Sequence, residues 1–136
     1  MKPSLSPGLT FSRKIRVDRE RTIDFMGEDA RVYATPALVR DVEVACREFL
    51  LAHLDAGEDS VGSHIEVDHL APTLLEMAVE ITGTVAQVEN RRVIFEFVAR
   101  DAVEEIARGK HVRFIVDVAK TAARLRGKAE RAATTA

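Results

Sequence analysis

The sequence is poor in cysteine and has no long apolar run, and both absences narrow the class of protein. Its 136 residues include a single cysteine, Cys46, which excludes an intrachain disulfide framework and favours a reducing compartment. No stretch approaches the ~18 consecutive apolar residues of a membrane span, and residues 1–16 lack the apolar region of a signal peptide. We therefore expect a soluble, cytoplasmic protein that does not associate with membranes.

An excess of one charge and the common phosphate-binding and hydrolase motifs are also missing. The chain has 20 Lys and Arg against 22 Asp and Glu, a formal net charge of −2, so nucleic acid is not an expected partner. Neither G-x-G-x-x-G nor G-x-S-x-G occurs, and residues 57–64 have the glycine spacing of a phosphate loop without its lysine. His64 and His69 have opposite parity on a predicted strand, which argues against a metal site.

The hydrophobic pattern predicts one domain with an α+β fold, a long helix lying on an antiparallel sheet. The helix is predicted to begin with Thr35 as N-cap and Pro36 at the first helical position, and to end near Leu54 before Gly57. Its apolar stripe is Val39, Val42, Cys46, Phe49, Leu50 and His53. Strands are predicted at Leu9–Val17, Ser60–Leu70, Leu75–Val85, Arg92–Arg100 and Glu104–Val116, the last interrupted near Gly109.

The ends of the chain differ in composition from the predicted domain, which spans residues 9–118. Residues 1–8, with Pro3 and Pro7, are expected to form a flexible leader, and residues 119–136 a basic tail with helical propensity.

Two polar residues lie where the periodicity asks for apolar ones. His69 shares its parity with Ile65 and Val67, so it should project from the sheet toward the helix, while Glu43 lies at the shoulder of the helical stripe. Taken singly, Glu43 could be a tolerated surface residue, His69 a satisfied core histidine and Thr35 only an N-cap. Together they offer a carboxylate, an imidazole and a hydroxyl at a helix N-terminus, a set suited to acyl transfer.

These residues and their spacings resemble the fluoroacetyl-CoA thioesterase branch of the hotdog-fold thioesterases. Thr35 and Glu43 are 8 residues apart, and Glu43 and His69 are 26 apart. The similarity covers about residues 9–120 and extends through the segments Ser60-Val61-Gly62, Val67-Asp68-His69-Leu70-Ala71-Pro72, Asn90-Arg91-Arg92, Asp101-(x3)-Glu105-Ile106 and Gly109-x-His111-x-Arg113.

The resemblance implies a hotdog fold, an acyl-CoA thioesterase activity and a homodimer or higher homo-oligomer. It implies catalytic roles for Thr35, Glu43 and His69, and a substrate-binding role for Gly62 and Arg113. Without it, Gly62 would be interpreted as a strand bulge and Arg113 as a surface strand residue. Because coenzyme A leaves as part of the substrate, no metal or tightly bound cofactor is expected.

One segment departs from the family, and two other functions remain to be weighed. The fluoroacetyl-specific enzyme has a phenylalanine-rich lid before the helix, whereas residues 26–33 read MGEDARVY, so only hydrolysis of a short or medium acyl-CoA is inferred. A non-catalytic acyl-CoA binding or sensing module on the same fold is the main alternative. A hotdog hydratase ranks lower, because its Asp-(x4)-His pattern is matched only superficially by residues 64–69.

Overall fold

A computed structural model describes residues 1–135 and shows a long helix lying across a five-stranded antiparallel sheet. The sheet order is β1-β5-β6-β7-β4, and β2 and β3 form a separate two-stranded ribbon. The elements are β1 (Thr10–Arg16), β2 (Thr22–Ile23), β3 (Val32–Tyr33), α1 (Thr35–Leu51), β4 (Glu58–His69), β5 (Ala78–Glu89), β6 (Arg92–Arg100), β7 (Glu105–Asp117) and α2 (Val118–Thr134). The predicted α+β architecture is confirmed.

The core lies between α1 and the inner face of the sheet. Leu38, Val42, Cys46 and Leu50 are fully buried on the helix and belong to one cluster with inward-facing residues of the sheet, among them Phe95. The predicted stripe was placed slightly off: Val39 is only half-buried, and Leu38 takes its place. Since Leu38, Val42 and Cys46 are spaced by four residues, they still form a single helical face.

The start of α1 differs from the prediction in a way that matters for the site. Ala34 is the N-cap residue, and Thr35 is already the first residue of the helix, so the prediction of Thr35 as N-cap is wrong. No side chain caps this end. The Thr35 hydroxyl is instead hydrogen-bonded to the side chain of His69, a contact that only the folded sheet can supply. The helix also ends at Leu51, earlier than predicted.

A bulge in β4 reverses the predicted parity of its first half. The pairing register with β7 shifts between Gly62 and His64, and this extra residue swaps the two faces of the strand. Ser60 is therefore buried, while Val61, predicted to face inward with Ile65, is 46% exposed.

The strand β7 is continuous through Gly109, so the predicted interruption there is wrong. A Cβ at this position would lie 1.9 Å from the main-chain oxygen of Glu66. The glycine allows β4 and β7 to approach closely, and it marks a tight strand contact rather than a break.

The first residues of the chain are partly buried against the domain, whereas the last ones form an exposed helix. Leu5 is buried in the core, and the Met1 amino group is hydrogen-bonded to the carboxylates of Asp55 and Glu58, so residues 1–8 lie against the fold. The basic tail forms α2, which buries none of its residues. No helix within residues 1–135 is long and apolar enough to cross a membrane.

Candidate functional site

Thr35 and His69 meet at the corner where α1 begins and β4 ends. The Thr35 hydroxyl and Nδ1 of His69 are hydrogen-bonded over 2.7 Å. They line a cleft of about 260 Å³. The remaining lining residues are Ile23, Val32, Tyr33, Leu70, Ala71 and Pro72. A hydroxyl paired with an imidazole in a largely apolar cleft can exchange a proton with a bound group.

The second ring nitrogen of His69 is left without a partner. Nε2 is buried and has no hydrogen-bond partner among residues 1–135. Burial also lowers the pKa of His69, because desolvation disfavours the charged imidazolium. The ring is therefore kept neutral near pH 7, with Nδ1 bound to Thr35 and Nε2 unpartnered within the described residues.

A buried polar network holds the corner that carries Thr35. The Tyr33 hydroxyl donates to Oδ2 of Asp41 over 2.5 Å, and Arg21 donates to both Asp41 carboxylate oxygens over 2.9 and 3.1 Å. Asp41 is only 7% exposed, although it lies outside the apolar stripe predicted for the helix. Burial and the neighbouring carboxylate raise the pKa of Tyr33, which keeps its hydroxyl protonated. The network ties β3 to α1 on either side of Thr35.

Glu43 lies in a second cluster, two turns further along α1. Its side chain is 44% exposed, and Oε2 lies 3.9 Å from Nη1 of Arg113. Gly62 faces the same carboxylate: a Cβ built there would be 3.1 Å from Glu43 Oε2 and 3.1 Å from the ring of His111. The absence of a side chain at Gly62 therefore keeps space open beside Glu43. Gly62 is thus both the predicted bulge position and a wall of a cleft of about 370 Å³.

Arg113 is the buried base of this second cluster. It is 4% exposed, which contradicts its interpretation as a surface strand residue. Its Nε donates to the Ser60 hydroxyl over 2.7 Å, and Nη2 donates to the Ser60 main-chain carbonyl over 2.8 Å. Nη1 donates to Nε2 of His111 over 3.2 Å. Ser60 and His111 had no role assigned from the sequence, although they belong to the segments Ser60-Val61-Gly62 and Gly109-x-His111-x-Arg113 that resemble the family.

The structure brings the predicted site residues together in two groups and not in one. Thr35 and His69 form the first group, and Glu43, Gly62 and Arg113 form the second. Eight residues of α-helix separate Thr35 from Glu43, a rise of about 12 Å. No set of three or more His, Cys, Asp or Glu residues that could hold a metal ion is found in the described part of the chain.

Comparison with known proteins agrees with this arrangement of helix and sheet. The model of the Fluoroacetyl-CoA-specific thioesterase family matches residues 17–119. A fluoroacetyl-CoA thioesterase from Streptantibioticus cattleyicolor is 31% identical over 135 residues, which cover 94% of this chain and 97% of the relative.

Two solved structures share the fold over nearly the whole chain. A hypothetical protein of Thermus thermophilus from the thioesterase superfamily has 31% identity and a TM-score of 0.88, covering 98% of this chain and 99% of its own. A hot-dog-like protein from Thermanaerovibrio acidaminovorans has 26% identity and a TM-score of 0.82, covering 93% of each chain.

Proposed function

Because the chain belongs to the fluoroacetyl-CoA-specific thioesterase family, and is therefore a hotdog-fold acyl-CoA thioesterase, we propose that Thr35, Glu43 and His69 are its catalytic residues. The observation that carries this proposal is the 2.7 Å hydrogen bond between Thr35 and a neutral His69 whose Nε2 has no partner within residues 1–135. A neutral imidazole with one bound and one free nitrogen is the form that can move a proton.

Hydrolysis needs an oxygen delivered to the carbonyl carbon and a proton delivered to the leaving sulfur. The Thr35 hydroxyl and the Glu43 carboxylate deliver this oxygen, either by activating a water molecule for attack on the carbonyl carbon or by carrying the acyl group covalently. His69 takes up the proton released as the C–O bond forms and returns one to the thiolate of coenzyme A as the C–S bond breaks. The products are the free acid and coenzyme A, so no tightly bound cofactor takes part.

The two clusters work as one site if a second copy of the chain joins the sheet through β4. This strand has 12 residues and lies at the edge of the sheet, where its outer main-chain groups are available for pairing. Its Gly62 and His69 are seven residues apart, about 20 Å along an extended strand. Antiparallel self-pairing about a two-fold axis near the middle of β4 would place Gly62 of one copy beside His69 of the other.

This two-fold arrangement explains why each chain carries a divided set of functional groups. Within one folded chain, Glu43 contacts Gly62 and Thr35 contacts His69. The pairing would therefore bring Glu43 of one copy toward Thr35 and His69 of its partner. We therefore propose a homodimer with two equivalent sites at the boundary between its subunits. Gly62 and Arg113 form the substrate-binding side of each site.

The proposed substrate is a short or medium acyl thioester of coenzyme A. The cleft beside Thr35 and His69 measures about 260 Å³, less than the roughly 300–1,000 Å³ of pockets for drug-sized ligands, which suits a small acyl group. Selection for fluoroacetyl-CoA is not proposed, because residues 26–33 lack the phenylalanine-rich lid. Since the single cysteine is free and buried, we propose that the enzyme works in the reducing cytoplasm.

A panel of acyl-CoA thioesters should show release of free thiol from at least one short-chain member. Thiol release is followed with a chromogenic reagent, across chain lengths from acetyl upward, with fluoroacetyl-CoA included. We expect turnover to decline as the acyl chain outgrows the cleft. Saturable acyl-CoA binding with no turnover above the buffer rate for any thioester would instead assign a binding or sensing role to this chain.

The pH dependence of kcat/KM should have an acid limb with a midpoint below 6.5. Protonation of His69 removes the base, and burial sets the pKa of this ring below the ordinary value for histidine. The midpoint should fall on warming, as an imidazole does and a carboxylic acid does not. A midpoint above 6.5, or one insensitive to temperature, would contradict the role of His69.

Stability must be followed in the same pH series. His69 and His111 both have lowered pKa values in the folded protein, so below about 6.5 the unfolded chain binds more protons than the folded chain. The free energy of unfolding should therefore decrease as the pH falls toward the folded-state pKa values. Circular dichroism at each pH separates this loss of fold from the titration of the catalytic base.

A further inference from the structure

His111 is a buried histidine whose two ring nitrogens face partners of opposite kinds. Nδ1 lies 2.8 Å from the main-chain carbonyl of His64, which can only accept, so Nδ1 carries a proton and donates it. Nε2 receives a hydrogen bond from Nη1 of Arg113, which can only donate, so Nε2 is unprotonated. Both neighbours demand the same neutral tautomer. Burial, together with the nearby guanidinium of Arg113, lowers the pKa of His111 and favours the same state.

The guanidinium that His111 binds is almost completely enclosed. A buried cation needs its donors satisfied, and Ser60 accepts from Nε and Nη2 through its hydroxyl and its carbonyl. The remaining nitrogen, Nη1, lies 3.2 Å from Nε2 of His111 and 3.9 Å from Oε2 of Glu43. The Glu43 distance is too long for a hydrogen bond, so Nη1 is bound to the imidazole and not to the carboxylate.

We propose that His111 is a positioning residue that holds Arg113 back from Glu43. As a fixed acceptor, the imidazole keeps Nη1 about 1 Å short of hydrogen-bonding distance from the carboxylate, so the guanidinium supplies a nearby positive charge without occupying the oxygens of Glu43. The catalytic consequence rests on the proposed function of Glu43. Without this acceptor, Nη1 would close onto Glu43 and form a tight charge-assisted pair, which withdraws the carboxylate from substrate or water.

Two substitutions separate the contacts of His111. In His111→Asn, the side-chain amide can still donate to the His64 carbonyl, but nothing reaches the position of Nε2. In His111→Gln, the amide oxygen reaches the position of Nε2 and can accept from Arg113. We expect the Asn variant to lose roughly 10–100-fold in kcat, since a misplacement of about 1 Å in a catalytic group can cost that much. The Gln variant should stay within a few-fold of wild type.

A spectroscopic measurement tests the same proposal without relying on turnover. The chain has four histidines, so the ¹⁵N ring signals of a labelled sample can be assigned by substitution. At pH 7, His111 should be neutral with its proton on Nδ1. In His111→Asn, the ¹³C carboxyl signal of Glu43 at pH 7 should move away from its wild-type position, because the guanidinium then binds the carboxylate directly.

The outcomes distinguish this proposal from the proposed function. A His111 ring that is protonated on Nε2, or charged at pH 7, overturns the positioning role, as does a folded Asn variant with wild-type kcat and an unchanged Glu43 carboxyl signal. If His111→Asn does not fold, the wild-type ring signals and the activity of His111→Gln still test the positioning role of His111. A wild-type protein with the expected tautomer and Glu43 shift but no turnover would support the positioning of Arg113 and reject the catalytic role of Glu43.

Discussion

Replacing His69 by alanine is expected to lower kcat by roughly 10²–10⁴-fold, the usual cost of removing a positioned acid–base group. The substitution removes the imidazole that is bound to Thr35 and is proposed to carry the proton, and alanine supplies no acid–base group in its place. The KM for acyl-CoA should change much less, because the proposed role of the imidazole lies in proton transfer and not in substrate binding. The kinetic constants are measured with the best thioester found in the substrate panel.

Glu43→Gln should give a loss of the same order for a different reason. The amide keeps the size of the side chain and can still approach Gly62, but it removes the negative charge 3.9 Å from Arg113. The matched controls are Glu48→Gln, an exposed carboxylate on the same helix, and His53→Ala, a histidine just after its end. Both controls should keep wild-type kcat. If Glu43→Gln retains kcat and loses only thermal stability, the catalytic assignment of Glu43 is wrong.

The position of Thr35 inside the helix simplifies the test of its hydroxyl. Replacing a residue whose side chain caps a helix lowers the stability of the protein as well as removing the side chain. No side chain caps the start of α1, so substitutions of Thr35 do not carry this cost. Thr35→Val keeps the shape and removes the hydroxyl, while Thr35→Ser keeps the hydroxyl and removes a methyl group. We expect the serine variant to remain active and the valine variant to approach His69→Ala in kcat. Equal activity of the two variants would show that the hydroxyl takes no part.

The periodicity of the sequence was sufficient for the architecture and for one half of the site. Alternating residues gave β6 with its observed bounds and β7 within one residue, because each strand buries one face against the helix. The alternation also predicted β5, although the observed strand, Ala78–Glu89, begins three residues and ends four residues later than predicted. The same alternation predicted that His69 projects toward α1. Its contact with Thr35 joins residues 34 positions apart and depends on where β4 ends, which no local pattern encodes.

The errors arose where local geometry and tertiary contacts override the pattern. One extra residue near Gly62 reversed the faces of β4, so Val61 was placed inside and Ser60 outside. Asp41 lies outside the apolar stripe that the pattern predicts for α1, yet it is buried, because Tyr33 and Arg21 satisfy its carboxylate in the interior. The buried position of Arg113 depends on Ser60 and His111: His111 shares its face of β7, whereas Ser60 lies on the neighbouring strand, 53 positions away in the sequence, and no local pattern predicts that contact.

The composite site predicts recovery of activity when two inactive chains are mixed. Glu43→Gln and His69→Ala chains, each inactive alone, are unfolded and refolded together. If Glu43 of one copy works with His69 of the other, each mixed dimer has one intact site and one doubly altered site. Random pairing of chains makes half of the dimers mixed, so about a quarter of all sites should be restored. Thiol release should therefore return to about a quarter of the wild-type rate.

The structure supplies a negative control that the sequence alone did not offer. Thr35 and His69 lie in the same cluster of one chain, so a mixture of Thr35→Val and His69→Ala chains contains no intact set in any dimer. That mixture should stay inactive under the refolding conditions that restore activity to the mixture of Glu43→Gln and His69→Ala chains. Formation of mixed dimers is checked by purification through a tag on one chain only. If mixed dimers of Glu43→Gln and His69→Ala chains form but show no activity, the whole site lies in one chain. If light scattering at micromolar concentration shows a monomer, the shared site is excluded, since β4 would then have no partner strand.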